Sequence, residues 1–568
     1  MKEVTRTGSL LAGLARWPIA VLSVLCLLAW LPGFATLPPL DRDESRFAQS
    51  SKQMVETGDW IDIRFSTVPR YNKPIGIYWM QAAATKALGR PPFDQIWTYR
   101  VPSLLGALIA VFLCYWCCRA LAPPETSLIA AASLAMTVSL SAEAHIAKTD
   151  AMLLAAILGS QGVMLRCYLF VRGALEKAPS LGLALAGWIA IGIGILLKGP
   201  VILAVLALTA VSLSVWDRDW RWLKYLRAGF GIPLALAIVL PWGIAIGIAT
   251  HGAFYQQSLG HDFASKIVAG QETHGGWPGY FLALASVTLW PVTLFALPAI
   301  GAAITSRAEP AIRYLLCWLA PNWLMFELVP TKLPHYILPV YPVLAILAAV
   351  WITQPRAENG PRWQTVLRFV AIAQFALALL GIIAVCLLLP NRFGGSLPAW
   401  TMAALSLAEA VGAVAVILAA VRRNVAASIA AVGSAALLYP AIVGGVAPSL
   451  ARIWMTAHIA ERVAVDKAKN DPPPVLAGYV EPSLVFELGT GTHIENGKSA
   501  AVTAAQQGGL ALVEDRERAK FLAALKMDGG SARPIDDVSG FNYSKGRHEH
   551  VTIFRITPAP PITKPPPE

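Results

Sequence analysis

Apolar runs of about 20 residues recur along most of this chain, and their repetition leaves few folds open. One such run, coiled as a helix, crosses a bilayer core of ~30 Å. Thirteen spans are predicted, over residues 17–37, 101–121, 126–142, 151–171, 181–197, 200–216, 229–250, 279–302, 311–329, 335–353, 366–389, 399–421 and 425–446. Composition agrees: 56% of the 568 residues are hydrophobic and only 14% are charged, where a soluble chain carries roughly a quarter. A membrane barrel needs short segments of alternating polarity, and the sequence lacks them. The expected class is an α-helical polytopic membrane protein of about 13 transmembrane helices.

The net charge of +12 does not point to nucleic acid, because of where it lies. Loops after even-numbered spans hold Arg119, Arg172, Lys177, Arg218, Arg221, Lys224, Arg227, Arg307, Arg356, Arg362, Arg422 and Arg423. Short loops on the other side are poor in basic residues. The asymmetry predicts a cytoplasmic N-terminus and a C-terminal part outside. The long 38–100 loop is rich in Arg and Lys although it should lie outside; long loops escape the rule, so its charge invites a functional explanation. Lys2, Arg6 and Arg16 before the first apolar run read as an uncleaved anchor. All seven cysteines fall in or at the edge of spans, so packing accounts for Cys114 and Cys117, and no structural disulfide is expected.

Composition shifts divide the chain in three. Residues 1–449 form a membrane domain whose 38–100 loop carries two amphipathic helices, Ser45–Met54 and Pro74–Leu88. Residues 450–556 read as a small α/β domain outside the membrane, with strands at Val475–Val480, Leu510–Val513 and Val551–Ile556 and helices at Ser483–Leu488 and Glu514–Lys526. Residues 557–568 are a Pro-rich tail expected to be disordered. No internal repeat is visible.

The densest charge cluster, Asp41-Arg42-Asp43-Glu44-Ser45-Arg46, follows the first span at once. By itself it reads equally well as a solvated charge run. Its continuation, Glu56-Thr57-Gly58-Asp59-Trp60 and then Lys73-Pro74-Ile75-Gly76-Ile77-Tyr78-Trp79, changes the reading. Together these motifs resemble the GT-C glycosyltransferases of the aminoarabinose lipid A transferase and protein mannosyltransferase group, over about residues 1–450. The resemblance implies that Asp43 is a catalytic carboxylate of the first outer loop, with Glu44 beside it in the motif. It makes Arg46 and Lys73 ligands of a donor phosphate. A polyprenyl-phosphate leaving group sheds negative charge, and Lys or Arg stabilise it best in a low-dielectric site. In the aminoarabinose transferases a metal-associated glutamate precedes that lysine; Asn72 stands there in this chain, which puts a divalent metal at this position in doubt.

Asp150, entering the fourth span, is costly enough there to suggest function, and it matches the second acidic position of the family, which implies a catalytic residue assisting Asp43. His145 and Lys148 stand nearby, where an interfacial location accounts for either. Lys198-Gly199-Pro200 makes a tight turn between spans five and six; Gly and Pro explain the turn but not the lysine, and the resemblance makes Lys198 a phosphate ligand. The 251–278 loop carries His251, His261, Asp262, Lys266, Glu272 and His274, at spacings that fit no tight zinc motif. Aligned loosely, Lys266 and His274 fall at the family's basic residue and its histidine, His274 as the tentative metal ligand. Thr331-Lys332-Leu333-Pro334-His335-Tyr336 resembles a family motif that implies Lys332 and Tyr336 as phosphate donors. An aromatic-belt tyrosine beside helix-starting prolines is the bland alternative.

These features predict an inverting transferase of a polyprenyl-phosphate-linked sugar at the outer face of a bacterial inner membrane. Lipid A or lipopolysaccharide core is the expected acceptor, and a protein hydroxyl the alternative. Membrane lipids are the surroundings, and no nucleic acid partner is expected. A transporter or flippase would place charge near mid-membrane and show repeats. Here the chemistry-bearing residues gather at span ends and in loops.

Overall fold

The computed structural model describes residue 9 and residues 11–258, 276–354 and 361–559. Every predicted span contains helix, but the spans differ in length. Among the described residues, eight helices are continuous, long and apolar enough to cross a membrane. A ninth span is a pair, Pro124–Ala135 and Val138–Ala144, bent by 65°. The break falls where the Thr137 side chain accepts the Leu140 amide and starts a new helix. Pro18–Trp30, Val201–Asp217 and Thr293–Thr305 are apolar but shorter than a full crossing. The predicted 279–302 span is split, since Tyr280–Thr288 ends before Thr293–Thr305 begins.

Burial sorts the helices by position. Helix Asp150–Val171 is 78% buried over its apolar window and Pro334–Thr353 is 83% buried, whereas Ala228–Ala249 reaches only 17%. The first two are interior elements and the last presents apolar surface outward, as a lipid-facing helix must. The interior pair carries Asp150, His335 and Tyr336 at one end.

The 38–100 loop folds against that end. Its first helix, Asp43–Thr57, is longer than the predicted 45–54, because Asp43 and Glu44 supply the acidic first turn that the helix dipole favours. Gly58, at φ +75°, ends it in a left-handed cap. A two-strand ribbon, β1 (Arg64–Phe65) with β2 (Val68–Pro69), leads to helix Gly76–Leu88. Glycine at 76 is a requirement of contact: a Cβ there would lie 2.7 Å from the Leu196 carbonyl oxygen. The loop helix therefore rests on the backbone of helix Leu181–Lys198 at its C-terminal end. Gly106 does the same for helix Ile96–Cys118, where a Cβ would lie 2.6 Å from the Met152 amide nitrogen. Those two approaches bring Lys73, Lys198 and Asp150 to one place.

The C-terminal region forms a five-stranded mixed sheet in the order β4-β3-β5-β7-β6. Strands β3 (Val475–Ala477), β4 (His493–Glu495) and β5 (Gly509–Glu514) run parallel. Strands β6 (Ser531–Asn542) and β7 (Arg547–Thr557) complete it antiparallel. Val475, Ala511, Val513, Phe521, Phe554 and Ile556 pack one face, and Met455, Ile459, Leu476, Leu512 and Ile553 the other. Helices Pro482–Leu488 and Asp515–Met527 fall where the sequence placed helices. Helices Met455–Asp466 and Gly497–Gln507 and strands β4 and β6 lie in stretches the sequence pattern left unassigned. Residues 560–568, most of the Pro-rich tail, lie outside the described residues.

Candidate active site

The loop bearing Asp43 is pinned by the residue next to it. Glu44 is buried, and its carboxylate oxygens accept four hydrogen bonds: from Arg100 Nε (2.8 Å) and Nη2 (2.9 Å), from the Ala147 amide (2.8 Å) and from the Leu40 amide (2.8 Å). The other Arg100 N–H groups reach the carbonyls of Phe34, Leu37 and Pro38 at 2.7–3.0 Å. A buried ion pair offsets its desolvation only when its hydrogen-bonding capacity is used in this way. The sequence placed Glu44 among the site residues. The structure gives its carboxylate to the scaffold instead, where it ties three segments together: the start of the loop, helix Ile96–Cys118 and the 145–149 turn.

Asp43 itself points away from this lock. It is solvent-exposed on the first turn of its helix. Within its electrostatic reach is Lys148, whose side chain is buried in a chain of alternating charges. Lys148 Nζ donates to Glu143 Oε1 at 2.8 Å and lies 3.1 Å from His335 Nδ1. An ammonium only donates, so Nδ1 is the acceptor and the imidazole proton sits on Nε2. That nitrogen faces Asp150 Oδ2 at 3.6 Å, and Lys198 Nζ donates to Asp150 Oδ1 at 2.5 Å. Lys198 also lies over the Tyr336 ring, 4.7 Å from its centroid. Lys73 is close enough to act electrostatically on His335. Burial opposes the charge of Lys148, yet Glu143 and Asp150, with Asp43 beyond them, hold its ammonium above the ordinary lysine range.

Asp43, Lys73, Asp150, Lys198 and Tyr336 thus share one end of the helical bundle. Glu143 and His335 complete the cluster, and sequence reasoning missed both. An acid ending an apolar run was the available signal for Glu143. Asp150 is held by Lys198, His335 and Thr149, while the Asp43 carboxylate makes no hydrogen bond among the described residues. Of the two acids, Asp43 is the exposed one.

Other predicted residues are placed differently. Arg46 is half-buried one turn after Arg42 on the Asp43 helix, and its amide donates to the Arg42 carbonyl. Lys332 is buried and turned toward its own connection, donating to the carbonyls of Glu327 and Val329, so those contacts cap helix Pro310–Leu328. Tyr341 is committed to Thr288, and His145 donates from Nδ1 to the Ser141 carbonyl in a buried pocket beside Phe34. Asn72 is exposed. Lys266 and His274 lie outside the described residues. Among the described residues, no three His, Cys, Asp or Glu side chains converge on a point that could hold a metal ion. A cavity of about 700 Å³, lined by Arg166, Leu175, Lys177 and Ser180, lies at the opposite end of helix Asp150–Val171 from the cluster.

The C-terminal domain closes over the same loop. Ser483 donates to Asp41 Oδ1, the Asp41 amide donates to the Tyr543 hydroxyl (2.7 Å), and Arg42 donates to the Ser544 carbonyl. Further along the helix, Gln49 donates to Thr490 (2.8 Å) and Lys52 to the Phe486 carbonyl (3.0 Å). Burial pushes the Asp41 carboxyl up to about 7, with the Glu481 charge adding to the rise and the Ser483 and Tyr543 hydrogen bonds opposing it. The sign of the pH effect follows. The folded protein holds a proton on Asp41 that the unfolded chain releases near pH ~4. This contribution is full below that value and is lost as pH rises toward 7, at no more than about 1.4 kcal/mol per pH unit. Unfolding midpoints across that range should fall with pH in the wild type and flatten in Asp41→Asn. An equal slope in both would refute the assignment.

The chain is similar to known proteins in sequence and in fold. Residues 40–253 match the family model for dolichyl-phosphate-mannose-protein mannosyltransferase. An undecaprenyl phosphate-alpha-4-amino-4-deoxy-L-arabinose arabinosyl transferase of Pseudomonas paraeruginosa is 29% identical over 54% of each chain. Another of that description, from Pseudomonas fluorescens, is 27% identical over 65% of each. The chain thus spans less than two thirds of these relatives' lengths. The crystal structure of ArnT from Cupriavidus metallidurans bound to undecaprenyl phosphate superposes with a TM-score of 0.73, at 19% identity over 94% of this chain and 97% of that one. The fold is that of a multi-pass helical membrane protein with a small C-terminal sheet domain, shared with that ArnT structure. The chain is similar to the aminoarabinose transferases over part of its length and, over residues 40–253, to the protein mannosyltransferase model.

Proposed function

We propose that the protein is an inverting glycosyltransferase that moves a sugar from a polyprenyl-phosphate donor to an acceptor at the outer face of the inner membrane. Its N-terminus is then cytoplasmic and its C-terminal domain periplasmic, as the basic-loop asymmetry indicates. The observation that carries this reading is the cluster in which an exposed acid, Asp43, lies within electrostatic reach of buried Lys148, which pairs with Glu143 beside the Lys198–Asp150 pair. In one displacement the acceptor oxygen attacks the anomeric carbon, its proton passes to Asp43, and the bond from that carbon to the phosphate oxygen breaks. The polyprenyl phosphate leaves with the electron pair, and the anomeric centre inverts. Lys73 and Lys198 stabilise the leaving phosphate, while Asp150 holds Lys198 in place. Arg46, one turn along the Asp43 helix, is the further phosphate ligand in this reading. No step calls on a metal.

The motif resemblance to the lipid A-modifying branch favours a lipid A or lipopolysaccharide core acceptor, with a protein hydroxyl second. Mass spectrometry of lipopolysaccharide and exported glycoproteins from a deletion strain tests this. A pentose- or hexose-sized mass missing from the lipid A or core fraction is expected. An unchanged lipopolysaccharide with an altered glycoprotein would move the acceptor to protein, and no change in either would sink the proposal.

A further inference from the structure

Arg42 has φ +66° and ψ −106°, the conformation of the first central residue of a type II′ turn, where glycine is the favoured residue. A long β-branch-free side chain still strains there, and such a residue persists only where its neighbours over-determine it. The neighbours are identifiable. Asp41 is held on both its amide and its carboxylate by Tyr543 and Ser483, and the Arg42 guanidinium is held by the Ser544 carbonyl. All three come from the C-terminal domain, more than 400 residues away in sequence. On the other side, Glu44 is locked to Arg100 and Ala147 in the membrane domain. Asp43 is the residue between the two anchors.

We infer that Tyr543 and Ser483 of the C-terminal domain are positioning residues that fix the direction of the Asp43 carboxylate by holding Asp41 and Arg42 in the strained turn. The domain then contributes no group to the chemistry; it sets the geometry of a group that belongs to the membrane domain. Truncating the hydroxyls lets the turn relax and Asp43 swing, while Lys73 and Lys198, set by other contacts, stay where they bind the donor. The loss therefore falls on turnover and spares donor binding. This inference rests on the proposed transferase reading.

The test is Tyr543→Phe, Ser483→Ala and the double variant in the full-length purified protein, assayed with undecaprenyl-phosphate aminoarabinose and lipid A. Each change removes a hydroxyl and little packing. The double variant should lose about 10- to 100-fold in kcat with donor KM within about twofold. Amide hydrogen exchange should rise at Ser45–Phe47, whose first two amides bond to the Leu40 and Arg42 carbonyls. Unchanged kcat, or equal losses in kcat and donor affinity with faster exchange throughout the protein, would overturn the positioning role. If the wild type transfers no sugar, this donor and acceptor pair is the wrong one, and exchange at Ser45–Phe47 alone decides: faster in the variant supports the clamp, unchanged refutes it.

Discussion

Asp43→Asn is expected to lower sugar transfer by about 10²- to 10⁴-fold, the usual share of a positioned proton acceptor, with folding and expression unchanged. The amide has the shape of the carboxylate, and the carboxylate it replaces is exposed and makes no hydrogen bond among the described residues. The cost is therefore chemical. An acceptor hydroxyl loses its base, and the anomeric carbon loses a negative charge as its own positive charge develops. Turnover by purified wild type and variant, with melting temperatures measured on the same samples, checks both halves. Substantial activity in a folded Asp43→Asn protein would remove Asp43 from the reaction.

The neighbouring substitution should behave in the opposite way. Glu44→Gln leaves the Arg100 guanidinium buried without its counter-charge and forfeits strong acceptance from the Ala147 and Leu40 amides. Removing one member of a buried pair costs about 3–5 kcal/mol, enough to deplete folded protein. The expected result is a large fall in the unfolding midpoint and in membrane yield. Replacing both partners together, Glu44→Gln with Arg100→Met, should recover part of it, because the uncompensated charge is gone. A Glu44→Gln protein as stable as the wild type, yet inactive, would return Glu44 to the catalytic machinery. Two adjacent acids in one motif thus separate by readout, one through turnover and the other through stability.

The apolar runs made the membrane class legible, and the motifs around Asp43, Lys73, Asp150 and Lys198 marked residues that the fold does bring to one end. Contacts over long sequence separations were invisible. Nothing local links Glu44 to Arg100, 56 residues on, or Asp41 to Ser483 and Tyr543. Glu143 escaped notice because it sits one residue past a segment read as a plain span, which the fold instead breaks into two helices, the second carrying Glu143. His335 sat within a recognised motif, but only the structure shows Lys148 on one ring nitrogen and Asp150 across from the other. Lys332 illustrates the reverse: its motif was conspicuous, while its side chain closes its own turn. A motif specifies residue types, whereas direction depends on packing.

The most direct measurement reconstitutes the purified protein in liposomes with radiolabelled undecaprenyl-phosphate aminoarabinose and lipid A, and follows where the label goes. Label is expected to become covalently attached to lipid A in wild-type vesicles and to remain on the polyprenyl phosphate with Asp43→Asn. Donor that crosses the bilayer while every labelled sugar stays on its carrier would contradict the account and make the protein a transporter.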